Sequence, residues 1–193
     1  MIFLSIDTST DICSVSLYNN NKYKTLLKNN TREHSKYLPV FTQELINGIE
    51  DKIEYIALNI GPGSFTGLKI GSSFSKGLAN ALNIPIVPID SFDAFKIDIK
   101  GINKYYTAIY SHRNYAFSCL HENLTRSKYV CGHIFDLDKY PIYGYGFPDE
   151  LRISYTELKP SSEKIGSLSI DKISLYSKKS IDNINPLCIS VEI

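Results

Sequence analysis

The chain has 193 residues, 43% hydrophobic and 21% charged, which is ordinary for a globular protein and enough for one generous domain or two small lobes. A net charge of +1, with no basic run denser than Lys178-Lys179, argues against a protein that binds nucleic acid strongly on its own. The cysteines Cys13, Cys119, Cys131 and Cys188 form no CxxC pair, which argues against a zinc knuckle or a thioredoxin-type motif.

In chain order, Ile2 to Ile6 reads as an apolar strand ended by Asp7-Thr8-Ser9-Thr10. Ile12 to Tyr18 alternates with period two, so the short link makes a hairpin, and the small thiol of Cys13 is expected to be buried. Asn19-Asn20-Asn21 turns the chain into a third strand, Tyr23 to Leu27, completing an antiparallel meander. Leu38, Phe41, Leu45, Ile46 and Ile49 then form one helical apolar stripe, with Pro39 placing the helix start nearby or bending it. Tyr55 to Ile60 is a continuous apolar run suited to a strand covered on both faces. Gly61 to Leu82 reads as a tight turn followed by a helix from about Thr66. Ile84 to Ile89 is a further strand, and Ser91 can cap a short helix through Ala94-Phe95.

From Lys104 the pattern returns to strands. Tyr105 to Tyr110 and Tyr115 to Leu120 flank the turn Ser111-His112-Arg113-Asn114. Lys128 to Cys131, Pro141 to Tyr145 and a terminal Pro186 to Val191 are shorter strands, and Ser161 to Leu168 is a short helix. Two strand-rich openings, near residues 1 and 104, suggest an internal duplication. Lobes over 1–100 and 101–193 follow, the second one reduced. The start MIFLSIDTST is too short an apolar run for a signal peptide or a membrane span, so a cytoplasmic location is expected.

Three motifs stand out. Asp7, Thr8 and Thr10 lie at a hairpin tip, where a carboxylate and hydroxyls serve the turn or meet a cation or phosphate. Gly61 to Gly71, GPGSFTGLKIG, fits neither nucleotide fingerprint. Its helix carries small residues Gly67, Gly71, Ser75 and Ala79 at i, i+4, beside Ile70, Phe74, Leu78 and Leu82. Interior glycines cost about 1 kcal/mol each relative to Ala, so something packs close to them, either the chain's own sheet or first helix or another subunit. His34 is followed one turn later by Leu38 rather than a second His, which suits a capping or interface residue better than a metal ligand. No GxSxG elbow supports nucleophilic catalysis.

Together Phe3 to Leu17 (FLSIDTSTDICSVSL), His34 with Leu38-Pro39, and Gly61 to Ala79 resemble the TsaB (YeaZ) family over about residues 1 to 95. The second-lobe turn, usually Asp-Ala-Arg in that family, reads Ser111-His112-Arg113 here and keeps only the arginine. The resemblance implies an α/β actin-like ATPase (ASKHA, ribonuclease H-like) fold of two related lobes with a degenerate nucleotide site, for which Asp7, Thr8 and Thr10 are the candidates; no cofactor or metal is expected. It also implies a non-catalytic scaffold and activator of the paralogous TsaD, which transfers threonylcarbamoyl to adenosine 37 of tRNAs reading ANN codons. The TsaE ATPase joins the assembly, tRNA is met only indirectly, and homodimers form as well. Pairing would use the two first-lobe helices, through His34, Leu38, Phe65, Gly67, Leu68, Gly71, Phe74, Ser75 and Leu78, which tips the small-residue stripe toward an interface. A bulky residue at Gly71 is then expected to abolish pairing and leave the fold intact. The rival readings are an ATP-dependent kinase or ATPase of the same fold, and a metalloprotease-like glycoprotease homologue.

Overall fold

A computed structural model describes residues 1–123, 125–176, 180–187 and 189. Strands β1 (Ile2–Asp7), β2 (Cys13–Asn19) and β3 (Lys22–Lys28) form the antiparallel meander. Helix α1 (His34–Ile46) leads to β4 (Ile56–Asn59), and α2 (Phe65–Leu82) leads to β5 (Ile86–Ile89). Both strands join parallel, giving the order β3-β2-β1-β4-β5. Helix α3 (Ser91–Lys96) links this sheet to β6 (Lys104–His112), β7 (Tyr115–Glu122), β8 (Thr125–Arg126), β9 (Val130–His133), β10 (Ile142–Tyr145) and β11 (Thr156–Glu157). The second sheet runs β11-β10-β6-β7-β8, with β9 pairing farther along β7.

The two sheets repeat one topology. In each, an opening strand pairs antiparallel with the next, whose other edge is also antiparallel, and two parallel strands follow on the opposite side. The duplication suggested by the sequence is thus a repeated fold plan. The second copy is reduced in a definite way: single 3-10 turns, Ile134–Leu137 and Asp149–Leu151, stand where α1 and α2 stand in the first. Helix α4 (Ser162–Ser169) returns to pack on β1, β2 and β4 of the first sheet, followed by α5 (Ile173–Tyr176). Helix α4, from the later part of the chain, thus covers the first sheet.

The first sheet is covered on both faces. Leu4, Ile6, Val15, Ile56 and Leu58 meet Leu38, Leu45 and Ile46 of α1 and Ala79 of α2. On the other face, Phe3 stacks between Tyr18 and Tyr55, beside Ile165 of α4. Small residues let α4 approach closely: a Cβ on Gly166 would lie 2.9 Å from Ser5 Oγ. There Ser14, Ser16 and Ser162 share 2.6 Å hydroxyl bonds, so the buried hydroxyls are satisfied. Cys13 is fully buried, and burial pushes its thiol up to about 12.

Several boundaries differ from the sequence reading for local reasons. α1 begins at His34 and keeps Pro39 inside; Ser35, whose carbonyl Pro39 cannot satisfy, is exposed to water. The cap of α3 is Asp90, not Ser91, whose hydroxyl is engaged elsewhere. β6 runs to His112 through a bulge, so the turn is shorter than expected. The terminal strand expected over Pro186 to Val191 lies partly outside the described residues. Among the described residues no helix is long and apolar enough to cross a membrane.

Candidate functional site

The Asp7–Thr10 loop and the start of α2 form one tightly packed unit. Short glycine backbone allows it. A Cβ on Gly67 would lie 2.1 Å from the Thr8 carbonyl oxygen, and one on Gly71 2.3 Å from Thr8 Oγ1. Gly63, at φ +159°, passes so close that a Cβ would come within 2.2 Å of the Ser9 carbonyl oxygen. In that gap the Ser64 amide donates to the Ser9 carbonyl at 2.6 Å, and Thr8 Oγ1 donates to the Gly67 carbonyl at 2.8 Å. Ser64 caps α2 by accepting from the Gly67 amide.

The polar atoms of the loop are engaged within it. Asp7 Oδ1 accepts from the amide of Ser9 at 2.9 Å and from its hydroxyl at 2.7 Å. Thr10 Oγ1 accepts from the Ile12 amide at 3.2 Å. Burial raises the Asp7 pKa against the lowering effect of the Ser9 and Asn59 hydrogen bonds. Asp7, Thr8 and Thr10, the candidates for a cation or phosphate, thus act in the turn; each is 7% exposed or less.

His34 closes the other side. Its Nε2 lies 2.9 Å from the Thr10 carbonyl, which assigns the ring proton to that nitrogen, and its Cδ2 lies 3.4 Å from the position a Gly67 Cβ would take. Burial lowers the His34 pKa, keeping the ring neutral. His34 thus ties α1 to the loop.

The residues expected at an interface divide by burial. His34, Leu38, Gly67, Leu68, Gly71 and Ser75 are all buried within this chain. The small-residue stripe faces the chain's own loop and sheet, because only glycine fits against Thr8. A bulky residue at Gly71 would therefore strike Thr8 before it met any partner. Of the nine residues, Phe65 is exposed (51%), and Phe74 and Leu78 are half-buried. On α1, Val40 is a further large apolar side chain left in water, 55% exposed, while Tyr37, Phe41 and, on α2, Ile70 pack half-buried against the core. Lys69 Nζ lies 4.0 Å over the Phe65 ring.

The brace behind the turn also went unread. Asn59 Oδ1 accepts from the Gly61 amide at 2.8 Å and from Ser91 Oγ at 2.9 Å. Ser91 Oγ lies 2.8 Å from the Pro62 carbonyl as well, and the Ser91 amide donates to Gly61 at 2.8 Å. A lone asparagine ending the apolar run Ile56-Ala57-Leu58 was the available signal. Across the lobes, the Tyr145 hydroxyl donates to Asp11 Oδ1 at 2.9 Å. His112 and Arg113, on the second hairpin, are exposed.

Comparison with known proteins follows this geometry. Residues 28–111 match the family model described as TsaD: tRNA N6-adenosine threonylcarbamoyltransferase. Curated proteins named tRNA threonylcarbamoyladenosine biosynthesis protein TsaB are similar: that of Buchnera aphidicola subsp. Schizaphis graminum is 38% identical over 94 residues, 47% of this chain and 44% of the relative. That of Haemophilus influenzae is 34% identical over 98 residues, 49% of this chain and 41% of the relative. The matches thus span under half the length of these curated relatives. The solved structure of YeaZ from Pseudomonas aeruginosa superposes with a TM-score of 0.78 at 19% identity, covering 97% of this chain and 99% of that one. The fold is therefore the actin-like two-lobed plan over nearly the whole chain.

Proposed function

We propose that the chain is a TsaB (YeaZ) family member, in line with its similarity to curated proteins of that name, and that it is an accessory subunit in the formation of N6-threonylcarbamoyladenosine at position 37 of tRNAs reading ANN codons. It performs no chemistry of its own. It pairs with a TsaD-type transferase through the outward side of α1 and α2, and holds that partner in its active conformation. A TsaE-type ATPase joins the assembly, tRNA is met through the partner, and a homodimer on the same side competes with the heterodimer.

The observation that carries this reading is the pair Phe65 and Val40, each more than half exposed on neighbouring helices. Large apolar groups left in water on two packed helices suit a face that a partner covers. The ATPase reading lacks such support, since the groups it would use at Asp7, Thr8 and Thr10 are held inside the turn. The proposed face also lies in the region of sequence similarity, which includes α1 and α2.

The test is the variant carrying Phe65→Asp and Val40→Asp. Both side chains are exposed, so stability should change by only about 0.5 kcal/mol per site. Affinity for the TsaD protein of the same cell should fall at least tenfold. Unchanged affinity in a stably folded variant would place the interface elsewhere.

A further inference from the structure

The partner-facing start of α2 is tied to the second lobe by a short chain of hydrogen bonds. Asp90 ends β5 and caps α3, its Oδ1 accepting from the amides of Phe92 at 2.7 Å and Asp93 at 3.3 Å. Its other oxygen, Oδ2, accepts from the hydroxyl of Tyr129, which lies between β8 and β9 of the second sheet. Arg126 Nη1 stands 3.6 Å from the same oxygen and 3.1 Å from Asp93 Oδ1. The guanidinium lies 5.0 Å over the Tyr129 ring, and that ring meets Phe92 edge-on at 5.5 Å. Tyr129 is thus fixed on three sides, and Asp90 is 8% exposed.

The residue after Asp90 is Ser91, the brace of the turn. Its amide holds the Gly61 carbonyl, and its hydroxyl reaches both Asn59 and the Pro62 carbonyl. From Pro62 the chain passes Gly63, which has no room for a side chain against Ser9, to Ser64, the cap of α2, and then to exposed Phe65. A displacement of Asp90 carries Ser91 with it, and the turn has little slack to absorb the change.

We propose that Tyr129, supported by Arg126, is a positioning residue of the second lobe that acts through Asp90 and Ser91 to set the 61–65 turn and with it the partner-facing start of α2. The idea deepens the function proposed above by giving the second lobe a part in partner binding, but its test needs no partner. The second lobe then helps present a face made by the first.

Hydrogen exchange on the isolated full chain decides it. Tyr129→Phe removes one hydroxyl and keeps the ring. The account expects the amides of Gly61, Ser64 and Ser91 to exchange roughly tenfold faster, in line with the loss of a hydrogen bond to a charged group, while core amides of β1 and β4 keep their wild-type rates. Arg126→Gln should act in the same direction more weakly, and serves as the second variant should Tyr129→Phe fold poorly. Tyr145→Phe, which removes a separate bond between the lobes, at Asp11, should leave these three amides unchanged. Faster exchange confined to Phe92 and Asp93, with the turn at wild-type rates, would overturn the proposal, because the effect would end at the α3 cap. Failure of the wild-type chain to bind a TsaD partner would strike at the proposed function alone and leave this result standing.

Discussion

Asp7 and His121 show opposite consequences of burying a titratable group. The raised pKa of Asp7 means that its ionised form is disfavoured by folding: its contribution is present below the unfolded value of 3.8 and is lost as pH rises through the folded one. Asp7→Asn keeps an oxygen for the Ser9 amide and removes the charge. It should leave stability equal or higher at pH 7, and tRNA modification by the assembled complex unchanged; a collapse of modification in a folded variant would mean that Asp7 meets a ligand. His121 is 1% exposed, lies 2.8 Å from Thr107 Oγ1 through Nε2, and stacks on Tyr105 at 4.9 Å. Burial lowers its pKa to about 4, with Lys96 and Arg126 acting in the same direction. A depressed histidine favours the folded state fully above the unfolded value of 6.5 and loses that contribution as pH falls toward 4. Urea midpoints measured between pH 7 and 4 should therefore fall more steeply for the wild type than for His121→Gln. Parallel slopes would contradict the assignment. The sequence left His121 unremarkable, since nothing in its spacing marks it as buried against a threonine of the neighbouring strand.

At the scale of elements, α2 offers an internal contrast. Gly77 has nothing within 4 Å of an added Cβ, so Gly77→Ala should stabilise the chain by about 1 kcal/mol through helix propensity. Gly67→Ala and Gly71→Ala face Thr8 at 2.1 and 2.3 Å and should destabilise it by about 1–3 kcal/mol. Thermal or urea unfolding of the three variants checks both signs, and equal effects at Gly71 and Gly77 would show that α2 does not seat on the loop. Spacing alone revealed that something packs against the stripe but not what, because a helix presents small residues to its own sheet and to a partner with the same i, i+4 period. The long periodic elements were legible: β1, β2, β3, α1 and α2 lie within a few residues of their expected positions. The Asn59–Ser91 brace was not, since it depends on a contact between residues about thirty apart, and the α3 cap fell one residue off because Asp90 and Ser91 are adjacent and both suit a cap.

For the whole molecule, the repeated sheet order explains why both openings looked alike in sequence and why the second copy was harder to read. Its parallel strands are joined by 3-10 turns rather than long helices, so the helical periodicity that marked the first lobe has no counterpart. The same economy leaves one lobe with a helix pair, on which Phe65 and Val40 are exposed. The most direct measurement is tRNA modification reconstituted from the TsaD and TsaE proteins of the same cell, with this chain added, omitted, or supplied as the Phe65→Asp, Val40→Asp variant. The account expects a stable heterodimer with TsaD, and threonylcarbamoyladenosine formed only when the wild-type chain is present. Full modification without this chain, or ATP turnover by this chain alone, would contradict it.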